Sequence, residues 1–495
     1  MAVMPQIETI VFLMLENRSL DNVLGWLYEG SRPQNVFPLD SSRDYNGLAG
    51  KSLTQPRLEN GLIKRYPVIK APDAPAKGLG YLPYWDPTEE MYQRYNWRGV
   101  MNQMFGNQNR ITTMPSSGTP GMQGFLQDYT MEDWSQEYGW QDILWTYTPQ
   151  QLNVINSYAL NYAVSDAWFC SVPTQTDPNR AYSILGSSQG RNNNYLRANE
   201  QYPGPTIFNA LVKGNKSWGL YFTDKWSGDI SFTQHAFPGI TTAGGKHQIG
   251  SLEDFRTAAR GNALPNFTYI EPKWGYSIAG NITQGSDYHP PTNVFFGESF
   301  LQWVYLILRR SPQWNKMLFI VTFDEHGGTV DHVAPPRPWQ AIKPDETNGD
   351  YGFQFNLFGA RVPTLFISPY VKPSTVFRAP KGSQFPFDHT SFIKTFLLWA
   401  GQDPNDPRLG LGKRVAAAPT FENVLSRTPV NTQTVDASVP ASTDDGRALN
   451  AIFEGVGFAS VRKIMRENET EEQMEREVAR YRRDPAAFEA ELSKD

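Results

Sequence analysis

The chain holds one cysteine, Cys170, in 495 residues, which rules out an intramolecular disulfide and removes any need for an oxidising compartment. Basic residues are not in excess: 45 Lys and Arg stand against 50 Asp and Glu, a net charge of −5, so there is no basic face of the kind a nucleic-acid binder carries. No apolar run reaches the roughly 18–20 residues of a membrane span. The opening MAVMPQIETIVFLMLEN has no basic n-region, and Glu8 interrupts its apolar stretch, so no signal peptide is expected. That expectation leaves two locations, cytoplasmic or secreted by a leaderless route. Histidine is also scarce, with six in all.

Aromatics are abundant at 13%, ample for a large core. Five segments read as buried strands: IETIVFLML (7–15), SWGLYFTD (217–224), NFTYIE (266–271), MLFIVTFDE (317–325) and VPTLFISPY (362–370). They are short, β-branched and mostly not alternating, as strands covered on both faces are. Helical patterns lie between them, such as GESFLQWVYLILRR with its apolar stripe and FIKTFLLWAG closed by Gly401. This order predicts an α/β fold with a largely parallel central sheet flanked by helices. Residues 1–401 read as one catalytic domain, in which 27–140, rich in Pro, Gly, Asn and Tyr, form a loop-rich insertion walling part of the site. Residues 402–450 read as a polar extension. Residues 451–495 read as a charged helical tail broken near Asp484-Pro485, either a solvated tail or a surface for self-association.

Two predicted strands end alike, one on Glu16-Asn17 and one on Asp324-Glu325. Ligands of parallel α/β sheets gather beyond the carboxyl ends of strands, so the two pairs can face one pocket. Their four oxygens suit a hard divalent cation, with Ca²⁺, Mg²⁺ or Mn²⁺ favoured and Zn or Fe still open. Four of the six histidines sit in compact polar motifs: His289 in SDYHPP, His326 and His332 in DEHGGTVDHVAPP, His389 in FDHTSF. A competing reading of the last motif is a helix N-cap built from Asp388, Thr390 or Ser391. A nucleophile is on offer in FCSVPTQTDPNRAYSILGSS, where Ser171, Thr174 and Thr176 precede Asn179-Arg180. A hydroxyl near a divalent metal loses its proton more easily and can attack phosphorus. The plain alternative is a loop with a threonine cap.

At this point the motifs resemble the phosphoesterase family that includes phosphatidylcholine-preferring phospholipases C and a related acid phosphatase. The likeness covers about residues 7–400 in order: ENRSLDNVLG, GMQGFLQDY, TPQQLNVINSYALNYAVSDAWFCSVPTQTDPNR, SDYHPPTNVFFGESF, SPQWNKMLFIVTFDEHGGTVDHVAPP, RVPTLFISPYVKP and FDHTSFIKTF. What the resemblance implies is an alkaline-phosphatase-like core and metal-dependent cleavage of a phosphate ester. It puts Glu16, Asn17, Thr176, Asp324 and Glu325 on the metal, Thr176 as nucleophile and His289 as proton donor or phosphoryl contact. Arg180, His326 and His389 fall to substrate binding, Arg180 with a loop-anchoring alternative. The chain departs from the family pattern at Leu20-Asp21-Asn22, at Asp86-Pro87-Thr88-Glu89-Glu90 and at Thr174-Gln175, and His247 is a candidate to supply a missing imidazole. The expected substrate is a phospholipid or a small phosphate ester, with peripheral membrane contact. The expected products are diacylglycerol and a phosphorylated head group, formed through a phosphothreonine. An acid phosphatase, and an inactive interaction protein that retains the fold, remain the alternatives. The aromatic stretch 80–97 is a candidate cage for a choline group.

Overall fold

The structure, a computed structural model, describes residues 3–72, 99–106, 118–130, 140–194, 201–226, 229–275, 285–290, 292, 294–336 and 353–437. The aromatic stretch 80–97, Asp86–Glu90 and the charged tail 451–495 lie outside these residues.

Thirteen strands are described: β1 (Thr9–Leu15), β2 (Asn35–Phe37), β3 (Thr54–Glu59), β4 (Leu62–Pro67), β5 (Ile69–Lys70), β6 (Trp145–Thr146), β7 (Ala163–Ser165), β8 (Trp218–Phe222), β9 (His247–Ser251), β10 (Phe267–Ile270), β11 (Met317–Phe323), β12 (Thr364–Ile367) and β13 (Thr375–Phe377). Nine of them build one sheet in the order β2-β13-β7-β12-β11-β1-β10-β8-β9. Within it only β12 runs against its neighbours, β11 and β7. All five strands read from sequence are present, four in the parallel set and 362–370 reversed. A reversed strand carries the same continuous apolar run, so its direction leaves no mark in composition.

The centre of the sheet is β1 beside β11, paired in parallel from Thr9↔Met317 to Leu15↔Phe323. Every residue of both strands is buried. Burying each large apolar side chain contributes about 1.5–3 kcal/mol, so these two strands are firmly secured. Phe12 packs edge-on against Phe392 of the helix His389–Trp399, and Trp168 stacks on Phe387 and Phe392 at 5.1 and 4.3 Å. The stretch after Gly401 folds back on this core through Val415, Phe421, Val424 and Leu425, all buried. Arg414 reaches Asp388 at 3.0 Å and ties that stretch to the start of the same helix.

Smaller elements lie over the carboxyl ends of β1 and β11. Strand β3 of the hairpin β3–β4 runs beside the helix Phe125–Thr130: Leu58 N–H donates to Gln127 Oε1 in the helix, and Gln55 donates to Met122 O just before it. Asp128 of that helix accepts from Asn102 and Gln103, and Gln103 Oε1 lies 2.7 Å from His326 Nε2. Among the described residues, no helix is long and apolar enough to cross a membrane.

Candidate active site

The chain leaves β1 at Leu15 and passes straight into Glu16 and Asn17, while its neighbour β11 leaves at Phe323 into Asp324 and Glu325. The two strands are in register, so the two acidic ends meet. Asn17 takes φ +58, a left-handed conformation that costs a non-glycine residue about 1 kcal/mol or more. The turn is held by Asp324 Oδ1, which accepts from Asn17 N at 2.9 Å and from Glu325 N at 2.7 Å. Gly327, at φ +64, passes so close that a Cβ there would lie 2.0 Å from Asn17 O. Glu325 Oε2 accepts from Gly327 N at 2.7 Å, closing the loop around the carboxylates.

Thr176 opens the helix Thr176–Ile184 and brings its hydroxyl 3.2 Å from both Glu16 Oε2 and Asn17 Oδ1. It is half-buried, whereas Glu16, Asn17, Asp324 and Glu325 are buried. The hydroxyl is therefore the member of the group best placed to meet a molecule from outside. At a helix N-terminus it also sits where unpaired N–H groups favour negative charge.

His289 lies on the other side of Asn17, its Nε2 2.7 Å from the amide nitrogen. The loop carrying it is pinned to β1, because Glu16 N–H donates to Asp287 O at 2.7 Å. Tyr288 just before it has φ +70, a second strained residue at the site. Burial pushes the His289 imidazole down to about 3, so the ring is neutral. Its Nδ1 lies 2.5 Å from Pro290 O, which can only accept, so the single ring proton is on Nδ1 and Nε2 offers a lone pair.

That tautomer decides how Asn17 stands. Its NH₂ must donate to His289 Nε2, which turns Oδ1 toward Glu325 Oε1 at 2.9 Å, Glu16 Oε2 at 3.1 Å, and Thr176 Oγ1 and Asp324 Oδ1 at 3.2 Å. An amide oxygen among three carboxylate oxygens is repelled unless positive charge sits between them. Reversing the amide would relieve this only by giving His289 Nε2 a proton, which burial opposes. The five oxygens therefore fit a hard divalent cation. Electrostatics agree: burial, then Asp324, raises the Glu16 carboxyl well above its usual range despite Arg180, and burial raises that of Glu325.

The three residues assigned to substrate binding are turned inward. Arg180 is fully buried and donates to Glu16 Oε1 from Nε at 3.0 Å and from Nη2 at 2.6 Å, and to the carbonyls of Met14 and Leu15. Its charge is spent on the end of β1, the anchoring alternative. His326 is buried between Glu325 and Gln103. His389 is buried too, with Nε2 2.6 Å from Asp324 O, and Asp388 and Ser391 form a capping box around it. All three brace the carboxylates, because a buried polar group beside a strand end finds its partners in the protein. His247 stands at the amino end of β9, stacked on Trp218, at the opposite end of the sheet from the carboxylates.

Sequence reasoning missed the Gln103–Asp128 support of His326, and it left Asp21, Asp331 and His332 unconnected. The ligand atoms of these three lie within 4.8 Å of one another. A cation is already there: Arg361 donates to Asp21 Oδ1 and Asp331 Oδ1, each at 2.9 Å, while His332 Nδ1 lies 2.6 Å from Asp21 Oδ2.

A model of the Phosphoesterase family matches residues 7–397. The chain is similar to non-specific phospholipase C4 of Arabidopsis thaliana, 32% identical over 429 residues that cover 85% of this chain and 72% of that protein. It is also similar to non-hemolytic phospholipase C of Burkholderia pseudomallei (strain K96243), 26% identical over 440 residues, covering 78% of this chain and 54% of that one. Among solved structures, a protein in the alkaline phosphatase superfamily from Vibrio parahaemolyticus shares 13% identity over 54% of this chain and 63% of its own, at a TM-score of 0.32.

Proposed function

The chain belongs to the phosphoesterase family and is a hydrolase acting on phosphate esters, and from that premise we propose that it is a phospholipase C using Thr176 as its nucleophile. The reading is supported above all by the Thr176 hydroxyl, half-buried and 3.2 Å from both Glu16 and Asn17. Glu16, Asn17, Asp324 and Glu325 would hold a divalent cation beside that hydroxyl. Such a cation supplies neutralisation of the phosphoryl charge and an easier loss of the hydroxyl proton.

Thr176 Oγ1 forms a bond to phosphorus as the bond to the glycerol oxygen breaks, leaving diacylglycerol and a threonine that carries the phosphorylated head group. Water then attacks the same phosphorus, the Oγ1–P bond breaks, and the hydroxyl regains its proton. Glu16 Oε2, 3.2 Å from that hydroxyl, is the acceptor beside its proton. In the resting protein His289 is a neutral acceptor that orients Asn17. It becomes a proton donor to the leaving group only once Nε2 has taken a proton from solvent, which the negative charge of the bound phosphodiester beside it favours. Buried Arg180, His326 and His389 keep the carboxylates in place.

The test compares Thr176→Ala and Thr176→Ser with the parent on micellar phosphatidylcholine and on a soluble aryl phosphate. Thr176→Ala is expected to lose on the order of a thousandfold or more in kcat on both, with Thr176→Ser retaining part of the rate. Hydrolysis surviving in Thr176→Ala refutes the nucleophile. Turnover of the soluble ester alone by the parent supports a phosphatase instead.

A further inference from the structure

The hairpin β3–β4 carries an apolar tip that nothing among the described residues covers. Asn60 and Gly61 both have positive φ, 50° and 76°, which makes the two-residue turn whose twist matches a tight hairpin. Leu58 pairs across the strands with Ile63, and Leu62 follows the turn on the other face. These three are 41%, 51% and 69% exposed, on a chain whose other large apolar residues are mostly buried. Scattered exposed leucines are ordinary, but three within six residues of one turn are a patch with a direction.

The shoulders of the hairpin are basic. Residues 51–72 contain Lys51, Arg57, Lys64, Arg65 and Lys70 against a single acidic residue, Glu59, within a chain of net charge −5. Glu59, opposite Leu62 beside the turn, is paired with Lys64 at 2.7 Å and Arg57 at 3.3 Å, so the tip remains apolar above a collar of net positive charge, which matches the layering of a bilayer surface, acyl chains beneath anionic head groups. The hairpin also stands close to the site. Its first strand is bonded to the helix Phe125–Thr130 through Leu58 N–H and Gln127, Phe125 packs edge-on against His326 at 6.0 Å, and His326 borders Glu325.

We propose that the β3–β4 hairpin is the membrane-docking element of this protein, with Leu58, Leu62 and Ile63 entering an anionic lipid surface and Lys64 and Arg65 meeting its phosphates. The proposal rests on the phospholipase reading for its purpose, and binding is measured apart from catalysis so that the two can fail separately. The full chain is sedimented with phosphatidylcholine vesicles, with and without phosphatidylserine. The parent and Thr176→Ala are expected to bind, more strongly with phosphatidylserine. The double substitution Leu62→Ser/Ile63→Ser is expected to weaken binding by about tenfold or more, and Lys64→Glu/Arg65→Glu to remove the phosphatidylserine preference. Both variants should keep the parent's turnover of a soluble aryl phosphate. A Leu62→Cys variant carrying an environment-sensitive dye, Cys170 being buried, should report a less polar setting when vesicles are added.

Vesicle binding unaffected by the hairpin substitutions overturns the proposal, as does a dye that sees no change. So does a solution mass that falls on substituting the tip, which would make a second copy of the chain the occupant. If the parent binds vesicles through the hairpin yet hydrolyses only the soluble ester, the phospholipase reading fails and the docking surface stands.

Discussion

Removing divalent cations should lower the stability of this protein, and by more as the pH rises. Three buried carboxylates, Glu16, Asp324 and Glu325, surround Asn17 Oδ1 within 3.2 Å, and one guanidinium, Arg180, serves them. Two like charges roughly 5 Å apart at an effective dielectric near 20 repel by about 3 kcal/mol, so an unfilled site stores a repulsion of that order. A cation present at 100 times its dissociation constant returns about 2.7 kcal/mol. Unfolding entropy for a chain of 495 residues is about 1 kcal/mol per degree, so the melting temperature should rise by about 3 °C. The pH dependence follows from the same groups. Glu16 and Glu325 are raised above the usual 4.5, so the support they give the fold is complete below that value and is lost as pH rises through their folded values. Bound cation lets them ionise at little cost, which widens the gap between loaded and chelated protein toward alkaline pH. Thermal melts with chelator, Ca²⁺, Mg²⁺, Mn²⁺ and Zn²⁺ across pH 5 to 8 measure this. Equal melting temperatures at pH 8 under every condition would refute the cation site, and so would a cation response that survives Asn17→Leu.

Gly327→Ala should destabilise by about 2 kcal/mol or more and abolish the cation-dependent shift, because a Cβ 2.0 Å from Asn17 O at φ +64 must push the turn aside. A urea midpoint and cation response like the parent's would show that the loop yields. Glu298 accepts from Val154 N at 2.6 Å, Ile155 N at 3.1 Å and the Tyr288 hydroxyl at 2.6 Å, and burial pushes its carboxyl up to about 7. Its support, on the order of 3 kcal/mol, is present below the usual 4.5 and lost as pH rises through about 7, so Glu298→Gln should flatten the denaturant midpoint between pH 5 and 8. An unchanged pH profile would remove Glu298 from that role.

What could be read in advance follows from where the signal lies. β1 and β11 are long, almost wholly apolar and followed by acidic residues, so both strands and the carboxylates at their ends stood out. The adjacent glycines of the DEHGGTV motif both have positive φ, a conformation for which glycine is the residue best suited. β2, β7 and β13 have three residues each, too few to show a period, and β9 is a mostly polar edge strand. Nothing local told whether Arg180 faces outward or inward. That depends on Glu16, 164 residues away in sequence, offering it a buried partner. The left-handed turn at Asn17 was equally hidden, since asparagine adopts it only where tertiary contacts compensate the strain.

The two acidic clusters at this end of the sheet show why proximity of ligands is a poor guide to a metal. Asp21, Asp331 and His332 lie close enough to hold one, yet Arg361 spans both carboxylates at 2.9 Å, and its other nitrogen donates to the carbonyls of Asn46 and Asp166. Every strong acceptor there meets a donor, and a metal would have to evict a buried guanidinium and leave its charge unpaired, a change that costs about 3–5 kcal/mol. Around Asn17 the balance is different. Arg180 reaches Glu16 at 2.6 Å but Asp324 only at 3.6 Å, and its ion pairs do not extend to Glu325, whose Oε1 faces the Asn17 amide oxygen. On the proposed reading it is charge left over, more than the spacing of carboxylates, that makes the pocket between β1 and β11 the place for a cation, with the Thr176 hydroxyl 3.2 Å from Glu16 and Asn17 beside it.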